Sequence, residues 1–585
     1  MKRSPITACA IWMSLADVWA QGPGQEPPRP AQVQLQDRWV FTMTNLAGED
    51  ALHKTLALIE RAQRAGYNGV LLTDSKFAKP QLQPKHYARN VRLLRETCSR
   101  LGMTLAVGVC PMGYAAELLA ADPNLAEGMP VRRALFEVRE GRLTPVDDTA
   151  RLVNGALDQW KGDLPIGWHV DRPGTVSFRD EQERYEGRPT LRQDHSANGR
   201  SGPVRLIQKL RVEPWQYYHI SVMAKTANCT SKDFRIFAVA GDPSQGFPLN
   251  WQPPDIQPTM DWTRLDATFC SLDNREVGLY LGSYNVRSGT IWWTDVRVEP
   301  AGWVNLIRRP SLPLTITSPD AQTVYTEGRD FSEIHDPKLG HDPNPGYFTY
   351  WHEPPTVVLP PGTRLREGQR VQASYHIATL VGKSHQINCC FSEPKVYDLL
   401  DQQIRWVKEV VRPDVYFLSH DEIRHGGWDD SCVQRRLTCG QILADNMRQC
   451  TAIVKRHDPG KRILTWNDMF DPYHNARQEG WFYLAKGQGP WHGSWEGLDA
   501  SVGVMNWLHN NAESLKFFAN RGHTQILAGF YDAAPQRIVD WLQTASQVQG
   551  IRGVMYTTWV NDYSQLEAFL KHAQDFEAQQ VATQR

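Results

Sequence analysis

Two hydrophobic patterns divide the chain. An apolar, strand-like run from Trp39 to Thr44 gives way to helical periodicity over Glu49 to Ala65, closed by Gly66. A second run, Gly69 to Thr73, ends at Asp74, and a second helical stretch, Lys85 to Leu101, ends at Gly102. A third run, Thr104 to Cys110, is broken by Pro111 and Gly113. Continuous apolar runs alternating with amphipathic helices predict parallel strands joined by crossover helices. The alternation then stops. From Leu152 to Pro300 the text turns to short period-two strands between Gly, Pro, Asn and Asp, among them Tyr217 to Met223, Phe234 to Ala240, Val277 to Tyr280 and Thr290 to Val298. That pattern predicts an antiparallel sandwich inserted into a loop of the first domain.

Residues 301–390 are Pro-rich and irregular, with strand candidates at Val371 to His376 and Gln386 to Phe391. Alternation resumes with a helix over Lys395 to Val411 and strands at Val415 to Ser419, Arg462 to Trp466, Ser501 to Trp507, Gln525 to Tyr531 and Gly553 to Trp559. Helical stretches follow them at Cys439 to Arg456, Glu513 to Asn520, Pro535 to Gln547 and Gln565 to Ala578. Three strands before the insertion and five after it predict a (β/α)₈ barrel with a large all-β, jelly-roll sandwich insertion after strand three. Val371 to His376 would be a ninth strand and is assigned to the insertion. The expected organisation is a first barrel segment at 37–130, the sandwich at 152–300, the irregular connection at 301–390 and a second barrel segment at 391–585.

The N-terminus reads as an export signal over 1–20: Lys2 and Arg3, an apolar stretch from Ile6 to Leu15, then Val18-Trp19-Ala20 as a cleavage site. Residues 21–36, rich in Pro, Gly and Gln, read as a flexible leader. A secreted or periplasmic location follows. No later stretch has the length and apolarity of a membrane span. Lys+Arg and Asp+Glu are both 64, and no basic-aromatic run occurs, which argues against a nucleic-acid partner. Of ten cysteines, Cys229 with Cys270 and Cys432 with Cys439 are candidate pairs, and the spacings match no zinc motif. Neither a metal nor a cofactor is expected.

The candidate chemistry lies at the strand ends, where barrels of this class carry catalytic groups. Strand four ends His420-Asp421-Glu422, followed by Arg424, His425 and Trp428. Strand two ends at Asp74, strand five at Trp466-Asn467-Asp468, and strand six at Asn506-Trp507. Strand seven ends at Tyr531-Asp532 and strand eight at Trp559-Val560-Asn561-Asp562. Folding alone asks for no such concentration of acids and aromatic rings at one face. The chain is also rich in Trp, with 21, and flat rings stack on the apolar faces of sugars. Together these point to a sugar-processing site and a glycan or oligosaccharide partner.

This set resembles family 20 glycoside hydrolases, the β-N-acetylhexosaminidases, whose fourth strand ends in an Asp-Glu pair. The resemblance implies that Glu422 is the general acid/base and that Asp421 orients the substrate's 2-acetamido group, which acts as nucleophile. Trp466, Tyr531 and Trp559 match the family's pocket residues, and His420, Asp468, Trp507, Asp532 and Asp562 complete the expected substrate-binding set. The chain departs from the family at Leu418-Ser419-His420, where glycines are usual, at Phe41-Thr42-Met43-Thr44-Asn45, which lacks the strand-one Arg, and at Trp559-Val560-Asn561 in place of Trp-x-Glu. In the insertion, Leu152-Val153-Asn154-Gly155, Gly167-Trp168 and Trp292 to Glu299 resemble jelly-roll carbohydrate-binding modules.

Glycosidic cleavage needs a proton donor for the leaving oxygen and a nucleophile or negative charge opposite the developing oxocarbenium ion, and substrate-assisted enzymes draw the nucleophile from the sugar. An ionised Asp421 beside Glu422 would favour a protonated Glu422. Two other readings fit the same residues. One is a conventional retaining glycosidase with Glu422 as acid/base and Asp532 as nucleophile. The other is a non-catalytic secreted glycan-binding protein. Among single residues, Asp429-Asp430 reads as a solvated pair or helix cap.

Overall fold

The computed structural model describes residues 34–196, 202–231, 233–241, 246–284, 286–382, 385–480, 486–529 and 534–583. Eight parallel strands close into a barrel in sequence order: Asp37–Met43, Gly69–Thr73, Thr104–Val109, Val415–Leu418, Arg462–Trp466, Val502–Asn506, Gln525–Leu527 and Ile551–Tyr556. These are the eight expected strands. Their apolar runs are continuous because both faces are buried. Trp39, Phe41, Leu71, Ala106, Phe417, Leu464, Met505 and Met555 fill the barrel interior. Their neighbours in sequence, such as Val40, Val70, Val107, Tyr416 and Ile463, pack outward in the larger core shared with the helices.

The helix expected over Glu49 to Ala65 forms over those residues and ends at Gly66, whose φ of 101° suits a residue without a Cβ. Helices Tyr87–Arg100, Cys439–His457, Ala512–Asn520, Arg537–Ala545 and Leu566–Thr583 follow other strands, and Pro394–Trp406 runs on into a π turn, Val407–Val411. The regular alternation is broken between strands five and six. There the described residues carry only the short 3₁₀ turns Asp468–Phe470 and Ser494–Gly497.

After strand three the chain leaves the barrel. Two five-stranded antiparallel sheets form the sandwich. One is ordered Met260–Cys270, Tyr217–Ala227, Thr290–Pro300, Arg188–Asp194, Ser177–Tyr185, and the other Phe247–Pro248, Phe234–Ala240, Glu276–Ser283, Val204–Arg211, His169–Val170. A further sheet was not expected. Gly128–Arg139 pairs antiparallel with Arg370–Ala378, flanked by Arg142–Pro145, Thr315–Thr317, Val324–Tyr325 and Leu306–Ile307. It shares one apolar core with the sandwich, through Phe136, Trp303 and Tyr375. Placing Val371 to His376 outside the barrel agrees with this pairing. The residues read as irregular nonetheless supply four of the sheet's strands.

Three further differences are local. Gln386 to Phe391 forms no strand, only an isolated bridge of Cys389 to Ala126. Leu35, inside the stretch read as a flexible leader, is buried, and its N–H donates to Glu577 at 2.8 Å. All nine cysteines of the described residues are free and buried, so neither candidate pair is joined. Residues 1–20, read as a signal, lie outside the described residues. No helix among the described residues is long and apolar enough to cross a membrane.

Candidate active site

Strand four delivers the central residues. Val415–Leu418 is fully buried, and the ladder continues one residue further, with the Ser419 N–H donating to Val109 O at 2.9 Å. The chain then breaks. Glu422 adopts a left-handed φ of 49°, uncommon for a residue with a side chain. Two contacts hold this turn. The Glu422 N–H donates to Asp468 Oδ2 at 2.9 Å. The loop after strand three packs against it so closely that a Cβ at Gly113 would stand 2.0 Å from Asp421 O, so only glycine fits there.

The same loop brings Tyr114 to Glu422. Its hydroxyl donates to Glu422 Oε2 and accepts from Gln386 Nε2 at 2.9 Å. Gln386 Nε2 also donates to Oε2 at 2.7 Å, and Arg424 Nη2 does so at 2.7 Å as an ion pair. Three donors therefore converge on one carboxylate oxygen. Burial, and then the charge of Glu422, raises Asp421 from the ordinary carboxylate range to about 6, against a hydrogen bond from Ser419 Oγ at 2.9 Å. Burial followed by the Asp421 charge raises Asp468 further, to about 8. One Asp468 oxygen holds the Glu422 and Asn475 N–H groups; the other, Oδ1, is buried without a partner among the described residues. Three carboxyls therefore stand together, Asp421 and Asp468 with raised values and Glu422 beside a guanidinium.

The expected substrate-binding residues divide. Trp466 and Trp559 come together with Phe41 at the mouth, with ring centroids 5.5–6.1 Å apart. Trp559 is 40% exposed and Trp466 only 2%. Trp507 is half-buried beside them. Its N–H donates to Asn467 Oδ1 at 3.1 Å, and it meets His474 edge-on at 4.7 Å. Asp468 is buried and accepts from the Glu422 N–H.

His420 is corrected more sharply. It is fully buried and hydrogen-bonds Asn446 Oδ1 of helix Cys439–His457 at 2.9 Å, behind the barrel wall, because residues flanking Asp421 on the broken strand alternate in direction. Asp562 caps the turn before the last helix, accepting from the Ser564 N–H at 2.9 Å. Tyr531 and Asp532 lie outside the described residues. Of the neighbouring residues, His425 is buried and its value is lowered to about 4 by desolvation. Asp429 does cap a helix, through Cys432 N–H at 3.0 Å, but it is fully buried and not solvated.

Tyr114 and Gln386 were not singled out in the sequence. Both reach Glu422 from segments far away along the chain; the Pro111 and Gly113 breaks were the one local sign of a close approach.

No family model matches the sequence, and no curated protein matches it. Among solved structures, the chain is similar to a family 16 carbohydrate-binding module at 17% identity, over 25% of this chain and 97% of that one, with a TM-score of 0.17. It is similar to the CBM22-1 xylan-binding domain of Paenibacillus barcinonensis Xyn10C at 13%, over 26% and 97%, with a TM-score of 0.20. A β-N-acetylhexosaminidase matches at 8% over 95% of this chain and 76% of that one, with a TM-score of 0.39. None of these values shows a family.

Proposed function

We propose that the protein is a glycoside hydrolase acting on β-linked 2-acetamido sugars at the open end of its barrel. One observation carries this reading: successive carboxylates, Asp421 and Glu422, stand at the end of strand four on a left-handed turn, with Glu422 fixed through one oxygen by three donors.

In this reading Glu422 Oε1 gives its proton to the glycosidic oxygen as the C1–O bond breaks, and the substrate's acetamido oxygen bonds to C1. Glu422 then removes a proton from the water that opens the resulting oxazolinium ring, restoring the acetamido group. Tyr114, Gln386 and Arg424 fix the carboxylate so that Oε1 keeps one direction. Asp421, with a value near 6, is ionised at neutral pH and stabilises the positive charge that develops on the acetamido nitrogen. Asp468 keeps its proton to about pH 8 and holds the Glu422 backbone in its turn. Trp559 supplies a flat face for the sugar.

The test is hydrolysis of aryl β-glycosides with and without a 2-acetamido group, using the full chain with Glu422→Gln and Asp421→Asn. Cleavage restricted to 2-acetamido substrates, lowered in both variants and blocked by a thiazoline analogue of the cyclised intermediate, is expected. Cleavage of 2-hydroxy glycosides that depends on Asp532 would replace this mechanism with a conventional retaining one. No cleavage of any glycoside, with sugar binding unaltered by Glu422→Gln, would sink the enzyme reading.

A further inference from the structure

Outside the mouth, four buried side chains converge where three segments of the chain meet. Glu127 follows strand three, Cys390 lies on the segment returning from the insertion, and Asp429 and Cys432 begin the short helix after strand four. One ligand atom from each lies within 4.8 Å of all the others. The Sγ atoms of Cys390 and Cys432 are 3.7 Å apart, and Cys432 Sγ is 3.8 Å from Glu127 Oε2. Two thiolates on one tetrahedral zinc, each at about 2.3 Å, stand about 3.8 Å apart, and a thiolate and a carboxylate oxygen about 3.5 Å. Bonded sulfurs would stand at about 2.05 Å.

The charges around the cluster give a second, independent observation. Glu127 is 1% exposed; its Oε1 accepts the Trp428 N–H at 2.7 Å, and its Oε2 faces the Cys432 thiol at 3.8 Å. Arg309 is the cation at hand, and it is already shared between Asp429, at 2.5 Å, and Glu393, at 3.1 Å. A divalent cation would supply a second positive charge beside Arg309, and thiolate and carboxylate are the forms that bind it. Two soft sulfurs with two oxygens in a closed shell suit zinc better than calcium or magnesium.

We infer that Glu127, Cys390, Asp429 and Cys432 form a structural zinc(II) site. The protein fills all four positions from buried groups, so the metal has no open coordination site for chemistry. It ties together the exit from strand three, the return segment and the loop after strand four. Gln386 lies four residues before Cys390 and Arg424 five before Asp429, so the same tie steadies two of the groups that fix Glu422.

The test uses the full chain without a polyhistidine tag. Purified from zinc-supplemented medium, it should retain about one zinc per chain. After chelation its Tm should fall by several degrees, two more thiols should react with a disulfide reagent, and zinc should reverse both changes. Cobalt(II) added to the stripped chain should give thiolate-to-metal charge-transfer absorption, weakened in Cys390→Ser and in Cys432→Ser. Should those variants fail to fold, Glu127→Gln keeps the shape of the site and should bind zinc roughly tenfold more weakly while its circular dichroism is unchanged. A folded chain that takes up neither zinc nor cobalt would overturn the inference. So would a mass lighter by two hydrogens, with Cys390 and Cys432 joined in one peptide pair.

Discussion

The two ends of the barrel treat charge in opposite ways. At the N-terminal end, one acid, Asp37, faces two guanidiniums, Arg462 at 2.8 Å and Arg552 at 3.1 Å, and Arg462 also lies over the Trp39 ring at 5.4 Å. At the C-terminal end, three acids, Asp421, Glu422 and Asp468, stand together, and Arg424 pairs with Glu422. The same wall of strands joins both ends, so the contrast does not come from the fold. Around Asp37, two cations surround one acid. At the mouth, carboxyls are held close without matching charge and their values rise to about 6 and 8, the condition that proton-transfer chemistry requires.

Substitutions at the two ends should therefore separate activity from stability. The largest effect is expected at the mouth: Glu422→Gln should lower kcat by about 10²–10⁴-fold with KM little changed. Steady-state kinetics on an aryl glycoside checks it, and an unchanged kcat would erase the functional difference between the ends. Asp37→Asn should do the reverse. It strands two half-buried guanidiniums, which should cost about 2 kcal/mol in urea unfolding, with kcat per folded molecule unaltered.

Asp468→Asn should shift stability in the other direction. Because its folded value lies above its unfolded one, folding takes up a proton, so the penalty is absent below about pH 4 and grows as pH rises to about 8. The variant should then be more stable than the parent at pH 8, and the gain should vanish near pH 4. A gain that stays the same at both pH values would mean that the carboxyl is not raised. The smallest effect is in the pH profile. In the proposed mechanism Asp421 acts ionised, so kcat/KM should climb about tenfold between pH 5 and pH 7, and Asp421→Asn should flatten that limb.

The barrel was legible in the sequence for a physical reason. Strands buried on both faces are written as unbroken apolar runs, and Gly66 and Gly102 mark helix ends without ambiguity. The sheet built from Gly128–Arg139 and Arg370–Ala378 was hidden because its partners lie in separate stretches, one of them broken up by prolines, and no local pattern announces that they pair. At the site, the position of Asp421 and Glu422 could be read because a strand ends there. The groups that set their chemistry could not: Tyr114 reaches Glu422 across 308 residues, and Arg424, noted in the sequence, has its role decided by the left-handed turn at Glu422. His420 shows the converse, since adjacency to the pair said nothing about which side of the wall it would face.

The pairing of Gly128 with Ala378 also bears on how the chain assembles. The Leu105 N–H and the Asp414 carboxylate that accepts from it are 309 residues apart, so at translation speeds of about 5–20 residues per second strand three waits roughly 15–60 s for its neighbour. During that wait its edge is open to mispairing, and closing so long a loop is slow. The insertion shortens the journey. Once its own sheet has formed, the exit and the return of the chain lie side by side, and the second half of the barrel starts next to the first. The sandwich and its sheet thus act as a clasp on the timescale of synthesis: a late fold of the insertion would delay the barrel, and an early one would protect it.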